Sequence, residues 1–353
     1  MAFRPWTKLS IFLFTFILEI IIKELMAKSK TLDQILGIQY PFIIAPMFLV
    51  SNAKMVIAAL ESGISAAIPA LNYRTDKELR AVIEKIKSAS DKPFGFNLIV
   101  NKSNPKFKGQ LKTLVELKVD YIITSLGNPK EVIEQAHQVG TKVFCDVVDL
   151  KFAKKVEALG ADAVIAVNSQ AGGHAGNIGP EKLIKELVAN CNIPVITAGG
   201  ISNGYDLKKA MNWGAAGASM GTLFIASDEA DVSDDYKQAL VKYGKKDIVR
   251  TDKLSGTPLT VIKTPYIESI GTKAGFLEQL FLKNKRIKKY AKLLIAVRGL
   301  KKIEKAAFGA TYKTVWVAGP SIEAVKSIRT VSQIAKQIIR ELEKPELKNI
   351  KRD

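Results

Sequence analysis

At 353 residues and 47% hydrophobic content, the chain is long enough for one large domain or two ordinary ones and too apolar for a disordered protein. Its Lys and Arg outnumber Asp and Glu by 53 to 34, and a formal charge of +19 asks for an acidic partner, nucleic acid or an anionic membrane surface being the classes to test. Two cysteines, Cys145 and Cys191, stand far apart in apolar runs without CxxC or histidine spacing, which argues against a metal site and fits buried thiols of a reducing compartment.

The first segment, "MAFRPWTKLSIFLFTFILEIIIKELMAKSK", carries Arg4 and Lys8 and then an apolar run from Leu9 to Leu18 that Glu19 interrupts. That run is short of the about 20 residues a membrane span needs, and no A-x-A cleavage site follows closely. Met26 would serve as a cytosolic start. Residues 1–28 therefore read as an appendage, an over-long start, on a cytoplasmic protein; a membrane anchor is the alternative.

From about residue 40, short β-branched runs alternate with helical patterns. The predicted strands are 42–47 ("FIIAPM"), 64–68, 94–99 ("FGFNLI"), 121–125, 142–147 ("KVFCDV"), 163–168, 194–199 ("PVITAG") and 217–221. Each is a continuous apolar stretch, as parallel strands buried on both faces require. Helical spacing recurs between them at 52–63, 75–90, 128–140 and 150–160, several segments ending in glycine at the helix stop. Eight strands in βα alternation predict a (β/α)8 TIM barrel, with a doubly wound open sheet as the alternative.

After the eighth strand the rhythm is lost. Residues 227–314, with the Lys-rich stretch "FLKNKRIKKYAKLL" (281–294), predict a mainly helical insertion over the barrel mouth that forms one wall of the substrate site. Barrel-like sequence resumes over 315–345, with "VWVAGPSIEAVKSI" and a helix at 332–344 that Ser332 would cap, before a basic tail, 346–353. The lysine runs lack the interleaved aromatics of a single-strand stacking platform, and charge alone is the case for nucleic acid, so none is expected.

A barrel does its chemistry at the C-terminal strand ends, so those residues are the candidates. The loops after the seventh and eighth strands, "TAGGIS" and "MGTLF", supply Gly199, Gly200, Gly221 and Thr222 as a backbone cradle for phosphate. Asn97 is an amide within an apolar strand; it either satisfies a neighbouring loop or addresses the polar edge of a planar cofactor. The sixth strand ends in "NSQAGGHAG", where Gly172, Gly173 and Gly176 make room around His174, one of two histidines. An imidazole there suits proton abstraction from an acidic carbon near neutral pH, the plain alternative being a structural loop histidine. His137 reads as an ordinary helix-surface residue.

Taken in order, "APM", "GFNL", "SLGNP", "QAGGHAG", "PVITAGGIS" and "GASMGTLF" resemble the FMN-dependent nitronate monooxygenase family, formerly 2-nitropropane dioxygenases. The resemblance implies a TIM barrel holding FMN through Ala45, Pro46, Met47, Asn97, Gln170, Gly173, Ala198, Gly199, Gly200, Gly221 and Thr222. It implies His174 as the catalytic base, taking the α-proton of nitroalkanes, while a nitronate needs no such step. It further implies nitronate and O2 as reactants, and carbonyl compound and nitrite as products. Members commonly carry Gly and Glu where this chain has Asn168 and Gln170, and AGQ where it has "AGP" (318–320). The related flavin-dependent enoyl-acyl-carrier-protein reductases usually keep that acid, so Gln170 counts against them. The runner-up is nevertheless an NAD(P)H-dependent flavin reductase of enoyl-ACP or quinone type, whose partner would be acyl carrier protein.

Overall fold

The protein, as a computed structural model, is described over residues 30–101, 104–252, 258–272 and 315–345. The N-terminal appendage, the Lys-rich stretch 281–294 and the basic tail lie outside the described residues. Helix α1 (Leu32–Leu36) precedes β1 (Phe42–Ile44), and then strands and helices alternate: α2 (Ala53–Glu61), β2 (Ser65–Pro69), α3 (Asp76–Ala89), β3 (Gly95–Ile99), α4 (Phe107–Glu116), β4 (Tyr121–Ser125), α5 (Lys130–His137), β5 (Lys142–Val147), α6 (Leu150–Ala158) and β6 (Ala163–Val167). A two-residue strand, β7 (Gly173–His174), lies outside the barrel and is followed by α7 (Pro180–Asn190), β8 (Val195–Ala198), α8 (Gly204–Asn212), β9 (Gly217–Met220) and α9 (Thr222–Ile225). Strands β1 to β6, β8 and β9 close on themselves, every pair parallel, so the barrel reading holds and the open-sheet alternative falls.

Strand parity determines what the barrel contains. Ile43, Tyr121, Ile123, Phe144, Ile165 and Ile196 fill its interior, with Leu32 and Leu36 of α1 packed against them. Their neighbours Phe42, Ile44, Ile122, Val143, Cys145 and Val164 belong to the layer between strands and helices. Tyr121 and Phe144 stack inside with centroids 5.2 Å apart, and a Cβ at Gly95 would overlap the Tyr121 ring. Glycine there is a packing requirement.

The helices start where their caps allow. Asn52 accepts from the amide of Met55, Asp149 accepts from Phe152, and Thr75 forms a capping box with Glu78. Helix α12 (Val331–Glu343) is likewise capped by a box, Thr330 with Gln333, which places its start one residue before the expected cap Ser332. It packs on α2 and α8, so closely that a Cβ at Gly204 would overlap the Ile338 carbonyl oxygen, and thereby takes the eighth helical place around the barrel.

The insertion leaves and returns at one point. Ser227 bridges Arg329, whose carbonyl accepts from the Asp228 amide, and whose own amide donates to Ala226 O. Its described part holds strands as well as helices. After α10 (Asp234–Lys242), strands β10 (Ile248–Thr251) and β11 (Leu259–Ile262) form an antiparallel pair, α11 (Pro265–Ile270) follows, and β11 pairs with β7. The β-branched run "LTVI" has one partner, β10, close by in the chain and a second, β7, some 85 residues earlier, which local periodicity cannot see.

Candidate active site

At the C-terminal strand ends the barrel opens into a cavity of about 500 Å3. Ala45, Pro46, Met47, Asn97, Gln170, His174, Ala198, Gly199, Gly200, Gly221 and Thr222 all line it. Gly173 does not; it pairs with Thr260 of β11 at a φ of +74°. Its part is to turn the chain so that His174 follows.

Each loop is held by its own bonds. After β1, the Met47 amide donates to Ser51 Oγ (2.9 Å), and Asn72 accepts from the Leu49 amide (3.0 Å) while donating to Ser51 O (2.9 Å). After β6, the buried Asn168 accepts from the Gln170 amide at 2.8 Å and donates to Gly199 O at 2.9 Å, tying the histidine loop to the glycine pair. The unusual residue noted in the sequence is thus a tie between two loops. Gly199 and Gly200 have φ of +108° and +80°. A Cβ at Gly199 would lie 2.7 Å from Asn168 Oδ1 and from Ala171 Cα, and one at Gly200 would overlap Gln170 Oε1. The "AGP" turn closes the same corner, its Gly319 amide donating to Thr222 Oγ1 at 3.0 Å.

His174 is held from outside the barrel. It pairs with Leu259, and the Arg250 guanidinium donates to the carbonyls of Ala175 (3.0 Å) and Gly176 (3.1 Å). The residue as a whole is exposed, yet desolvation in the mouth holds the imidazole pKa below the ordinary 6.5, which favours the unprotonated base at neutral pH. His137 is elsewhere, its Nε2 2.9 Å from Asp162 Oδ2 on the barrel's outside.

On the β3–β5 side of the mouth, Asn97 Nδ2 donates to Ile123 O (3.1 Å) and to Ser125 Oγ (2.7 Å), and Ser125 Oγ donates to Asp146 Oδ2 (2.5 Å). Both amide protons of Asn97 are engaged, which leaves its Oδ1 as the group it can offer the cavity. Burial pushes the Asp146 carboxyl up to about 6. Sequence reasoning passed over Ser125, Asp146 and Arg250. For Asp146 the signal was present: it has the parity of Phe144, and an acid on the inward face of a buried strand requires a reason.

A profile of the nitronate monooxygenase family matches residues 29–341. The chain belongs to this family. Among curated relatives, the (3aS,4S,5R,7aS)-5-hydroxy-7a-methyl-1-oxo-octahydro-1H-indene-4-carboxyl-CoA dehydrogenase of Rhodococcus jostii is 32% identical over 239 residues, 68% of this chain and 67% of the relative. A probable nitronate monooxygenase of Staphylococcus haemolyticus is 29% identical over 287 residues, covering 69% and 80%. The solved structure of FabK from Thermotoga maritima superposes with a TM-score of 0.77 at 30% identity, covering 89% of this chain and 96% of that one. As a nitronate monooxygenase family member the protein is a flavin-dependent oxidoreductase.

The cavity suits a flavin in the chemistry of its lining. Asn97 Oδ1 offers an acceptor to an N–H on a ring edge, Ile165, Ala198 and Met220 supply apolar wall, and the glycine-rich corner leaves backbone where side chains would intrude. Among the described residues no helix is long and apolar enough to cross a membrane, and no group of three metal-ligating side chains occurs.

Proposed function

We propose that the protein carries out FMN-dependent oxidation of nitroalkanes or their nitronates with O2, giving carbonyl compounds and nitrite. One observation carries the reading: the imidazole of His174 lines the same cavity as the glycine corner and the Asn97 acceptor. FMN would be held by Gly199, Gly200, Gly221 and Thr222 at its phosphate, with Ala45, Pro46, Met47, Asn97, Gln170 and Ala198 around its ring. The chemistry it supplies when bound is transfer of electrons from the substrate carbon to O2. His174 takes the α-proton of a nitroalkane, and its tethered loop keeps the ring in one place while it does so. Asn168 holds the histidine loop and the glycine pair in register.

A second reading is an NAD(P)H-dependent flavin reductase or dehydrogenase acting on a thioester, enoyl-acyl-carrier protein among them, or on a quinone. It is favoured by the likeness to the Rhodococcus jostii protein, whose name contains a carboxyl-CoA. Nitroethane, propionate-3-nitronate and NADH, added separately to the flavin-loaded protein under air, decide between them. Oxygen uptake with either nitro compound supports the first; rapid flavin bleaching by NADH with no uptake on nitro compounds would replace it with the second.

A further inference from the structure

Among the described residues four large apolar side chains are exposed: Leu126 (52%), Val148 (37%), Phe152 (50%) and Tyr205 (50%). Single apolar residues on a surface need no reason, but three of these four, Leu126, Val148 and Phe152, line the cavity that holds His174. Leu126 and Val148 directly follow β4 and β5, and Phe152 stands in the first turn of α6. Phe152 shares a face of that helix with Val156, one turn on, and Asp149, which accepts from the Phe152 amide, fixes where the face begins. Leu126 adopts a φ of +60°, unfavourable for a bulky side chain, and the loop it sits on is pressed against the end of β3: a Cβ at Gly127 would lie 2.7 Å from Val100 O.

This apolar side is separate from the groups given to flavin. Those stand at the ends of β1, β8 and β9, on β3 and in the loop after β6; none stands on β4, β5 or α6. Strand parity separates the two further. Ser125 and Asp146, which carry the hydrogen bonds on from Asn97, have the inward parity of Ile123 and Phe144. Cys145 and Val147 have the outward parity and belong with Val156 to the layer between strands and helices, and all three still line the cavity. The cavity therefore has a lobe between β5 and α6, outside the ring of strands. It opens beside the histidine loop, where a Cβ at Gly176 would lie 3.3 Å from Val148 Cβ. Its polar groups satisfy each other, Thr124 Oγ1 donating to Cys145 Sγ at 3.1 Å, so the lobe asks its occupant for contact and for no hydrogen bond.

We propose that this lobe binds an aliphatic chain carried by the substrate, whose reacting carbon lies at His174 while the chain runs over Val148, Phe152 and Leu126. The occupant follows from continuity: what fills a lobe of the catalytic cavity is the far end of what reacts there. A flexible chain also suits a space that bends out of the barrel and ends at solvent. The inference rests on the proposed function for its head group only; the chain binds in the lobe whichever oxidation takes place.

The test compares 1-nitropropane with 1-nitrooctane by oxygen uptake in wild type, Phe152→Ala and Tyr205→Ala, the last removing an equally exposed ring that lies outside the cavity. A fully buried methylene raises affinity roughly fourfold, and about twofold is expected where one side stays open, so wild-type kcat/KM rises about thirtyfold with the longer chain. Phe152→Ala cuts that gain at least about fivefold, Phe152→Leu restores most of it, and Tyr205→Ala leaves it unchanged. Calorimetric titration of the flavin-loaded proteins with propanamide and octanamide gives a readout free of turnover: wild type binds octanamide at least about tenfold tighter, and Phe152→Ala loses most of that preference. FMN affinity, read by fluorescence quenching, is the same in Phe152→Ala as in wild type. Val148→Thr, which keeps the shape and adds a hydroxyl, lowers the chain-length gain too and serves should Phe152→Ala fold poorly. No gain with chain length in wild type, equal or no binding of the two amides, or a full gain kept by Phe152→Ala each overturn the proposal. So does a loss of FMN affinity in Phe152→Ala, which would make the lobe part of the flavin seat. If neither nitroalkane is turned over but octanamide is preferred and the preference depends on Phe152, the proposed function fails and this inference stands.

Discussion

Arg250→Ala removes the grip of the insertion on the histidine loop without touching the cavity wall. The guanidinium makes two bonds, to Ala175 O and Gly176 O, at 3.0 and 3.1 Å. A hydrogen bond from a charged donor contributes about 1.5–3 kcal/mol when buried; in this only partly buried site, where water replaces much of each bond, the pair together holds the loop by about 2 kcal/mol. That is roughly a thirtyfold shift toward open loop conformations. The β7–β11 pairing at His174 and Gly173 remains, but it spans two residues and cannot by itself fix the ring. Misplacing a base by about 1 Å costs on the order of a hundredfold in rate, so kcat on nitroethane is expected to fall about 10- to 100-fold, with retained flavin. Arg250→Lys falls between, because an ammonium does not fork across two carbonyls. Hydrogen exchange at residues 173–176 should speed up in the same order, an observation independent of turnover. A kcat within about threefold of wild type together with unchanged exchange would refute the clamp.

His174→Ala should abolish most turnover of neutral nitroalkanes while flavin absorbance is retained; unchanged turnover contradicts the base role. Since desolvation holds the His174 pKa below 6.5, log kcat/KM for a nitroalkane is expected to be flat above that value and to decline as pH drops through a lower one, and a decline centred above 6.5 would be the wrong sign. The two glycines separate backbone from side-chain conflict. Gly199→Ala drives a Cβ into the backbone of Ala171 at φ +108° and should cost roughly 3 kcal/mol or more, read by chemical denaturation, whereas Gly200→Ala displaces only the end of Gln170 and should cost about 1–2 kcal/mol while weakening flavin retention. Equal losses would refute the distinction. For Asp146, the carboxyl rises from 3.8 unfolded to about 6 folded, so its burial opposes folding increasingly as pH passes from about 4 to 6 and fully above, by about 3 kcal/mol. Asp146→Asn should therefore raise Tm at about pH 8 and leave it nearly unchanged at about pH 4; equal Tm values at both would refute the burial argument.

The barrel was legible because its causes are local. Eight apolar runs bounded by glycine and capping residues, such as "FIIAPM" and "PVITAG", carry their strand character in their own side chains, and the expected strands match those observed to within a few residues. The cavity residues follow from the rule that such strands present their C-terminal ends to one mouth, which brings Asn97, His174, Gly199 and Gly221 together. The sequence of "NSQAGGHAG" also showed that His174 had space around it, but not what held it there.

What local reading could not supply were contacts made across the chain. Arg250 grips Ala175 from 75 residues away, β11 pairs with His174, and Gly319 donates to Thr222. None of these leaves a periodic trace, because a single contact imposes no repeat. Asp146 lay between the two cases: its inward parity with Phe144 is written in strand β5, but its link to Asn97 needed the register of β3, β4 and β5. Sequence alone thus determined the strands, their order and the mouth to which they lead, since burial pattern and capping act over a few residues. Tertiary structure decided which groups touch there, since hydrogen bonds and charges act over a few ångströms between strands that only barrel closure makes neighbours.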